Sequence, residues 1–492
     1  MKIRAFDTIF FIFLLVLIFR LFFALQTPNF SEDNAYYNTR QIDNIAETGK
    51  HIAYDELSYG GRQVLGAPLA LYAYSFFKAI FGKHALKIMP AFFMALLVFV
   101  VYRIANKISG NHTAAALATL GASFVPIVVF KTLNNISEYA VVYPLLFLLI
   151  YAFYNLENKR YLWLFIALTF LLPAMHSISI LFAISLVIFL VLAYIEEIEI
   201  DSIRTESILL FVLIAFLISL VMYRLAFANI GLGVIWQNTP ESILSEYFKG
   251  IGIIDVIINV GLVPLLFGIA GIYFTIKNKN KDIMLLLSIC ITSIVLLAAK
   301  LIAFSTGLMM LGITLSIISA IGFDKFLKYV GVTKLAAHIK TIKVSLVLFI
   351  ILTLMVPSLL GAQAIIDGTY KSEDIVPFLW MNENTALSAT ILADVNEGNL
   401  ITQIAKRKSV VDTNFLFVKN INKRLDEAIS LFSLESEVKA LELIKRYDID
   451  YIYLSEKSKE RYNIKKLKYS VNEMCFEKVF ENESGEIIRI IC

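Results

Sequence analysis

Long apolar runs alternate with short polar connections through the first three-quarters of the chain. About eleven runs are roughly 15 to 23 residues long, and a helix needs roughly 20 residues to cross a bilayer. The pattern therefore predicts an all-α polytopic membrane bundle of about 11 transmembrane helices. The runs lie at residues 6–25, 86–105, 113–130, 139–154, 161–175, 178–195, 207–227, 256–276, 283–299, 301–323 and 342–360.

The pattern changes after residue 365. Residues 366–492 mix charged and apolar positions, with a helical period at 425–447, a strand-like run at 451–454 and no run long enough to cross a membrane. We therefore predict a transmembrane domain at 1–365, with a large first outer loop at 28–85, and a soluble α/β domain at 366–492. The first run is interpreted as a retained span, because no small-residue cleavage site follows it.

Composition supports a membrane protein and excludes two other classes. Hydrophobic residues make up 58% of the 492 residues and charged residues 17%, and the mean hydropathy is +0.74. Soluble domains are about half apolar and about one quarter charged, so an ordinary soluble protein is excluded. The net charge of +4 comes from dispersed basic residues, which form no patch for a polyanion, and we expect no nucleic acid partner.

The basic residues in the short connections predict the orientation in the cell membrane. With a cytoplasmic N-terminus most of them lie inside, as the positive-inside rule requires, and the short outer connections hold Lys131, Lys249 and Lys300. An odd number of spans then makes the C-terminal domain extracytoplasmic. The inner set is Lys2, Arg4, Arg103, Lys107, Lys159, Arg160, Arg204, Lys277, Lys279, Lys281, Lys325, Lys328, Lys334, Lys340 and Lys343.

The cysteines occur in two different settings. Cys290 lies within an apolar run, where a free thiol behaves as a small hydrophobic side chain. Cys475 and Cys492 flank a turn at residues 482–485 symmetrically, and a hairpin there would place them opposite each other. A disulfide, which needs an oxidising compartment, and two unpaired thiols are the alternatives.

Two adjacent carboxylates, Glu32 and Asp33, follow the first apolar run. Carboxylates at a membrane surface can hold a divalent cation through oxygen ligands, or act as a general base toward an acceptor hydroxyl. Acidic residues at a helix start also stabilise the helix N-terminus, and this structural role is the alternative.

Residues later in the chain place this pair in a wider pattern. Asp33 is followed by Tyr37 and Arg40, and Glu138 lies at the outer end of the third and fourth runs. This layout resembles the GT-C superfamily of membrane glycosyltransferases, and most closely the catalytic-subunit family of archaeal and eukaryotic oligosaccharyltransferases. In that family an aspartate early in the first outer loop and a second acidic motif together hold a metal. The resemblance implies that Asp33 and Glu138 hold Mg²⁺ or Mn²⁺.

Two further stretches are similar to the same family but depart from it at its peptide-reading positions. Residues 234–248 resemble an outer loop that carries an essential glutamate, and this chain has Gln237 in that place. Residues 379–412 resemble the start of the soluble domain, but Ala393 to Gly398 replace the Trp-Trp-Asp-Tyr-Gly motif that reads the acceptor. Losing paired tryptophans removes a stacking and hydrogen-bonding pocket. We therefore expect a sugar-transferring relative that does not modify asparagine.

The resulting hypothesis is an integral membrane glycosyltransferase. It would move a sugar from a polyprenyl-phosphate-linked donor to a glycan, lipid or protein acceptor on the outer face, in contact with membrane lipid. Asp33, with Glu32 beside it, is the expected catalytic carboxylate. The residues expected to bind the donor phosphate or substrate are Arg40, Arg62, Lys131, His176, Gln237 and Lys300. The alternative for a lone cation at a helix end is that its side chain extends to the membrane interface without binding a substrate, and the alternative for a histidine is that it completes a turn.

Three other functions remain open. Transfer of a lipid-linked glycan to protein is one. A lipid-glycan transporter is another, although broken helices at corresponding positions of two halves, which are typical of transporters, are not evident. An inactive scaffold is the third, and it predicts that replacing Asp33 changes no activity.

Overall fold

The computed structural model describes residues 5–66, 68–248, 252–278 and 281–492. Of the basic residues used to predict orientation, Lys2, Arg4, Lys249 and Lys279 lie outside the described residues. The chain divides into two compact units. The first is Met1–Gln26, Gly66–Arg224 and Tyr247–Asp367, and the second is Thr27–Leu65, Leu225–Glu246 and Gly368–Cys492. The domain boundary predicted at residue 365 stays a prediction.

Helices dominate the first unit, and helices and strands alternate in the second. The strands are β1 (Tyr54–Asp55), β2 (Arg62–Gln63), β3 (Thr390–Leu392), β4 (Lys408–Ser409), β5 (Tyr451–Ser455), β6 (Phe476–Asn482) and β7 (Gly485–Ile490). The helices are α1 (Ala5–Ala24), α2 (Asp33–Thr48), α3 (Leu69–Phe81), α4 (Ala85–Ser109), α5 (His112–Ser123), α6 (Pro126–Thr132), α7 (Tyr139–Phe153), α8 (Lys159–Leu171), α9 (Ile178–Ile195), α10 (Ser202–Ile230), α11 (Glu241–Phe248), α12 (Ile253–Val260), α13 (Leu262–Asn278), α14 (Lys281–Ala298), α15 (Phe304–Gly331), α16 (Ile339–Ile350), α17 (Val356–Asp367), α18 (Ser372–Asn384), α19 (Gly398–Leu400), α20 (Ile421–Ser433), α21 (Glu437–Arg446) and α22 (Glu456–Tyr462).

Each of the predicted apolar runs falls on a helix or a helix pair of the first unit. Within the described residues, 6 helices are long and apolar enough to cross a membrane, or up to 8 if two bent pairs each form one span. The α5–α6 pair bends by 46° before Pro126, which lacks the N–H that would continue the helix. The α12–α13 pair bends by 98° at Gly261, whose φ of 92° suits glycine. The polytopic helical membrane fold is therefore confirmed, and its shorter apolar helices explain the higher count from sequence.

Glycines allow α13 and α15 to pack with their backbones close together. A Cβ atom built on Gly322 of α15 would lie 2.3 Å from the carbonyl oxygen of Phe267 on α13. A Cβ on Gly271 of α13 would lie 2.5 Å from the carbonyl oxygen of Ile318 on α15. Membrane helices associate through van der Waals packing, which small residues at the interface strengthen.

Replacing Gly322 by alanine is expected to destabilise the first unit by about 1–3 kcal/mol, because the added methyl group must displace backbone atoms and not a flexible side chain. Thermal unfolding of the purified protein in detergent measures the effect. Gly331→Ala on the same helix is the matched control, since a Cβ there meets nothing within 4 Å. Equal unfolding temperatures for the two variants would contradict the close packing.

The second unit contains a five-stranded sheet with the order β4-β3-β5-β7-β6. β3 is parallel to β4 and β5, whereas β7 is antiparallel to β5 and β6. Alternate side chains point to opposite faces: Ile452 packs with helices α20 and α21, and Tyr453 packs with α18. Both faces of the sheet are therefore covered, which forms the C-terminal α/β domain.

The terminal hairpin carries a disulfide. β6 and β7 meet at a turn between Asn482 and Gly485, and Cys475 and Cys492 are joined with their Cα atoms 4.8 Å apart. Of the two alternatives that the sequence left open, the structure has the disulfide. Cys290 is a free, buried cysteine on α14, as its apolar surroundings indicated.

Candidate functional site

Asp33 begins α2 in the second unit and is buried. Its Oδ1 atom accepts hydrogen bonds from the backbone N–H groups of Asn399 (3.0 Å) and Leu400 (3.3 Å). Its Oδ2 atom accepts from the Asn399 side-chain amide (2.6 Å) and the Thr413 hydroxyl (3.1 Å). The preceding Glu32 is half-buried and occupies the N-cap position of α2. Asp33 thus connects the first loop to the start of α19.

Two effects act on the Asp33 carboxyl group. Burial raises its pKa well above its ordinary value, and Asp412 adds to that rise. The hydrogen bonds from Asn399 and Thr413 favour the ionised form, and they therefore oppose this rise in pKa. N–H groups at a helix start also attract a negative charge. The contacts therefore position this carboxylate more firmly than an exposed helix-start aspartate.

The donors around Asp33 bear on the expected metal. An ionised carboxylate offers about four lone-pair positions, and four donors point at this one. Within the described part of the chain, no group of three or more His, Cys, Asp or Glu side chains could hold a metal ion. A divalent cation would have to displace Asn399 or Thr413, so the residues in this arrangement do not fit one. The Mg²⁺ or Mn²⁺ role of Asp33 and Glu138 stays a prediction.

Arg40 and Arg62 belong to a buried chain of ion pairs in the second unit. Asp55 forms an ion pair with Arg40 at 2.6 Å, and it accepts a hydrogen bond from Arg62 at 2.9 Å. Arg62 also contacts Asp412 at 2.6 Å and donates to the backbone carbonyl of Asn414. Burial alone would raise the pKa of Asp55, but the two guanidinium groups outweigh burial and hold it below its ordinary value. The phosphate-binding role of both arginines stays a prediction.

The segment that replaces the tryptophan motif lies beside Asn399. Asp394 accepts from Arg461 at 3.0 Å and from the Tyr462 hydroxyl at 2.7 Å. Glu397 is 3% exposed, and its Oε2 atom has no hydrogen-bond partner. Burial raises the pKa of Glu397 to about 8. No tryptophan lies between Ala393 and Gly398, and two of these six residues are acidic.

Glu397 predicts a pH dependence of stability. Its pKa is about 8 when folded and about 4.5 when unfolded, so between these values the folded state holds a proton that the unfolded state has released. Stability is therefore expected to fall as the pH rises from about 5 to about 8. Glu397→Gln should flatten this dependence in thermal unfolding, whereas Glu483→Gln, at an exposed turn, should leave it unchanged. An unchanged slope in Glu397→Gln would contradict the assignment.

Glu138 follows a buried turn of the first unit. Residues 133–137 between α6 and α7 are buried, although loops usually lie on the surface. The Tyr74 hydroxyl donates to the Ser137 carbonyl at 2.9 Å, and the Lys87 amine donates to the Asn134 side chain. Glu138 itself is half-buried, and burial raises its pKa to about 7. A carboxyl group with a pKa near neutrality can accept a proton under physiological conditions.

Other predicted substrate residues of the first unit have different settings. His176 is half-buried with its ring 4.8 Å from that of Tyr139, and its Nδ1 accepts from the Ile178 N–H at 3.0 Å. Burial lowers the pKa of His176 to about 4, so it is neutral at pH 7 with Nε2–H as its donor. Lys131 is half-buried in the last turn of α6. Lys300 is exposed in the turn after α14 with a φ of 56°.

Gln237 lies in a segment that belongs to the second unit. It is exposed, and both it and Asn238 have left-handed backbones, with φ values of 52° and 56°. The Asn238 amide donates to the carbonyls of Phe415 at 3.2 Å and Val418 at 3.3 Å. These bonds attach the segment to the C-terminal domain and present the Gln237 side chain to solvent.

The predicted site residues therefore fall into two groups. Glu32, Asp33, Arg40, Arg62 and Gln237 are in the second unit, and Lys131, Glu138, His176 and Lys300 are in the first. Sequence reasoning assigned no role to Asn399 and Thr413, which bind Asp33 directly. The one available signal was that Asn399 directly follows the segment departing from the family motif.

Comparisons with known proteins identify the fold. A family model described as "Predicted membrane protein (DUF2079)" matches residues 66–231, and the search of curated proteins found no match. The Archaeoglobus fulgidus oligosaccharyltransferase AglB, in complex with an inhibitory peptide and a dolichol-phosphate, is 15% identical with a TM-score of 0.70, covering 92% of this chain and 69% of that chain. The same enzyme in complex with Zn and sulfate is 16% identical with a TM-score of 0.62, covering 95% and 71%.

A second protein of known structure matches over nearly its whole length. ArnT from Cupriavidus metallidurans, bound to undecaprenyl phosphate, is 10% identical with a TM-score of 0.55, covering 99% of this chain and 97% of that chain. At such identities the likeness shows the fold alone. This chain is a membrane protein with a polytopic helical fold of the GT-C type and a C-terminal domain.

Proposed function

We propose that this protein is a membrane glycosyltransferase that moves a sugar from a polyprenyl-phosphate-linked donor to an acceptor on the outer face of the membrane. The observation that carries the proposal is the likeness in fold to two proteins whose structures contain a lipid phosphate. AglB was solved with a dolichol-phosphate and ArnT with undecaprenyl phosphate.

The reaction needs a base and a leaving group. The acceptor hydroxyl oxygen attacks the anomeric carbon, the bond from that carbon to the phosphate oxygen breaks, and the lipid phosphate departs with the electron pair. Glu138 takes the hydroxyl proton, because it is half-buried and its pKa of about 7 leaves much of it ionised at neutral pH. Asp33 and Glu32 remain the alternative bases. Asp33, with four donors around it, has a positioning role through Asn399.

Zinc is present in one AglB structure, so a metal requirement has to be tested here. Because four hydrogen-bond donors already surround the Asp33 carboxylate, we favour transfer without a divalent cation. A divalent cation at Asp33 would have to displace the Asn399 or Thr413 donors.

Transfer of a lipid-linked glycan to protein is the second candidate, favoured by the higher TM-score to AglB, 0.70 against 0.55 for ArnT. Against it, Ala393 to Gly398 lack the paired tryptophans of the peptide-reading motif. The match also covers 97% of ArnT but only 69% of AglB. A glycan or lipid acceptor is therefore preferred over a protein.

The proposal places the N-terminus in the cytoplasm and the C-terminal domain outside. The distribution of lysine and arginine supports this orientation. The Cys475–Cys492 disulfide supports it independently, since disulfides persist in oxidising compartments.

Sugar transfer by the purified protein tests the function. Labelled sugar on polyprenyl phosphate and on polyprenyl diphosphate is offered with lipid, glycan and sequon-peptide acceptors, with and without EDTA. We expect transfer from the monophosphate donor to a lipid or glycan that persists in EDTA. Transfer to the peptide would favour the second candidate function. Loss of transfer in EDTA would show that the reaction needs a divalent cation. No transfer from any donor would favour a transporter or a scaffold.

A further inference from the structure

The connection between α15 and α16, here called the basic connection, consists of residues 325–343. It contains five lysines and one histidine, and no aspartate or glutamate occurs between Asp324 and Asp367. Asp324 pairs with Lys328 at 2.7 Å, which offsets one of the five lysines. The basic connection therefore carries a net positive charge that its own residues do not balance.

Large apolar side chains in the basic connection are exposed. Tyr329 is 69% exposed, Val332 84% and Leu335 53%, and the exposed Lys334 lies between the last two in the chain. Tyrosine is enriched at the membrane–water interface, and a lysine stem can cover apolar surface while its charged group stays in water. Exposed apolar groups beside cations are typical of a segment that binds a membrane surface.

The basic connection lies at the membrane face opposite to Glu138. The first turn of α15 is beside Tyr139, the residue after Glu138, since the Tyr139 and Thr306 hydroxyls are 2.7 Å apart. The helix then continues to Gly331, and at 1.5 Å per residue Tyr329 is about 35 Å from Thr306. That length exceeds a hydrocarbon core of about 30 Å. The basic connection is therefore distant from Glu138 and close to the headgroups of the other leaflet.

We propose that the basic connection binds the negatively charged surface of this leaflet, with its lysines among the headgroups and Tyr329, Val332 and Leu335 in the interface. Charge complementarity selects an anionic lipid surface as the partner, because lysines close to such a surface are attracted to it. Since the lysines are distributed over residues 325–343, the attraction is to the summed charge of the surface and requires no particular headgroup. The proposal does not depend on sugar transfer.

Fluorescence of one labelled cysteine in the full-length protein tests the proposal. Val332→Cys supplies the labelling site, since Cys290 is buried and Cys475 and Cys492 form a disulfide. The protein is reconstituted in vesicles of phosphatidylcholine alone, or with phosphatidylglycerol or cholesteryl sulfate at equal negative charge, and quenching by a nitroxide-labelled lipid is measured. We expect quenching to rise severalfold in both anionic vesicles. It should return to the phosphatidylcholine level in about 1 M salt, where the Debye length is about 3 Å.

The other outcomes would overturn the proposal. Equal quenching in phosphatidylcholine alone would show that apolar contact suffices without the charge. A rise with phosphatidylglycerol and none with cholesteryl sulfate would show recognition of one headgroup. Low quenching in every vesicle would place the segment in water, and quenching that changes with the protein-to-lipid ratio would indicate a second copy of the chain as its partner.

Two double variants locate the effect. In the labelled protein, Lys334→Gln combined with Lys340→Gln should remove most of the rise in quenching. Lys465→Gln combined with Lys466→Gln is the matched control, since both are exposed lysines of the second unit, and it should leave the rise unchanged. A full rise without Lys334 and Lys340 would refute the role of the basic connection.

A label in the turn at residues 196–201 is a second control. This turn follows α9, which begins next to His176, whose ring is 4.8 Å from that of Tyr139, so it lies at the same membrane face as the basic connection. The turn carries four acidic side chains, which an anionic surface repels. A label at Glu199→Cys should therefore show no rise in anionic vesicles, and an equal rise at both labels would contradict binding through the basic connection.

Discussion

Sugar transfer by Glu138→Gln is expected to fall at least about 100-fold, because general base catalysis contributes roughly 100- to 10,000-fold. Wild-type kcat should rise with pH through about 7, the pKa to which burial raises this carboxyl group. A glutamine cannot accept the proton, so the rising limb should disappear in the variant. Burial of the preceding turn at residues 133–137 keeps the carboxyl group in place and away from bulk water.

The measurement is initial-rate transfer over a range of pH with both substrates saturating. Glu157→Gln is the matched control, since Glu157 is an exposed glutamate of the same unit. A normal kcat in Glu138→Gln would show that Glu138 is not the general base. The kcat of Asp33→Asn, measured in the same way, would then show whether Asp33 is the base.

Replacing Arg62 by methionine is expected to destabilise the second unit by about 3–5 kcal/mol, the usual effect of breaking a buried ion pair by removing one partner. Arg62 is 4% exposed and contacts both Asp55 and Asp412. Its loss would leave Asp412 buried without its cation and Asp55 with Arg40 as its remaining ion-pair partner. Methionine keeps most of the apolar volume, so the effect reports on charge more than on packing.

Denaturant or thermal unfolding of the purified protein measures this loss. Arg489→Met is the control, because Arg489 is more than half exposed and 3.9 Å from Glu477, and such surface pairs contribute about 0–1 kcal/mol. Adding Asp412→Asn to Arg62→Met should recover part of the stability, since it removes the unpaired charge. A double variant less stable than the single one would contradict the buried ion-pair interpretation.

The membrane fold could be predicted from sequence because a bilayer restricts the choice. Backbone polar groups in hydrocarbon must be satisfied internally, so a run of about 20 apolar residues has to be a helix. The same reasoning separated the C-terminal α/β domain, where the apolar period changes. The symmetry of Cys475 and Cys492 about their turn indicated that they could lie opposite each other, but the structure was needed to decide between a disulfide and two free thiols.

The environment of the candidate site could not be predicted from the sequence. Asp33 and Asn399 are 366 residues apart, and Arg62 and Asp412 are 350 apart, so no local pattern relates them. Sequence reasoning expected Arg40 and Arg62 to bind the donor phosphate and did not find their aspartate partners, Asp55 and Asp412. It also had no means of seeing that four donors would surround Asp33.

The amino-acid sequence by itself determined that this chain is a polytopic helical membrane protein with a C-terminal α/β domain, because hydropathy and period are local properties. The tertiary structure alone decided that residues 27–65 and 225–246 form one compact unit with residues 368–492. It also decided that four donors surround the Asp33 carboxylate and that Arg40 and Arg62 pair with buried aspartates. These features depend on burial and on partners distant in sequence, which set the charge state and availability of each side chain.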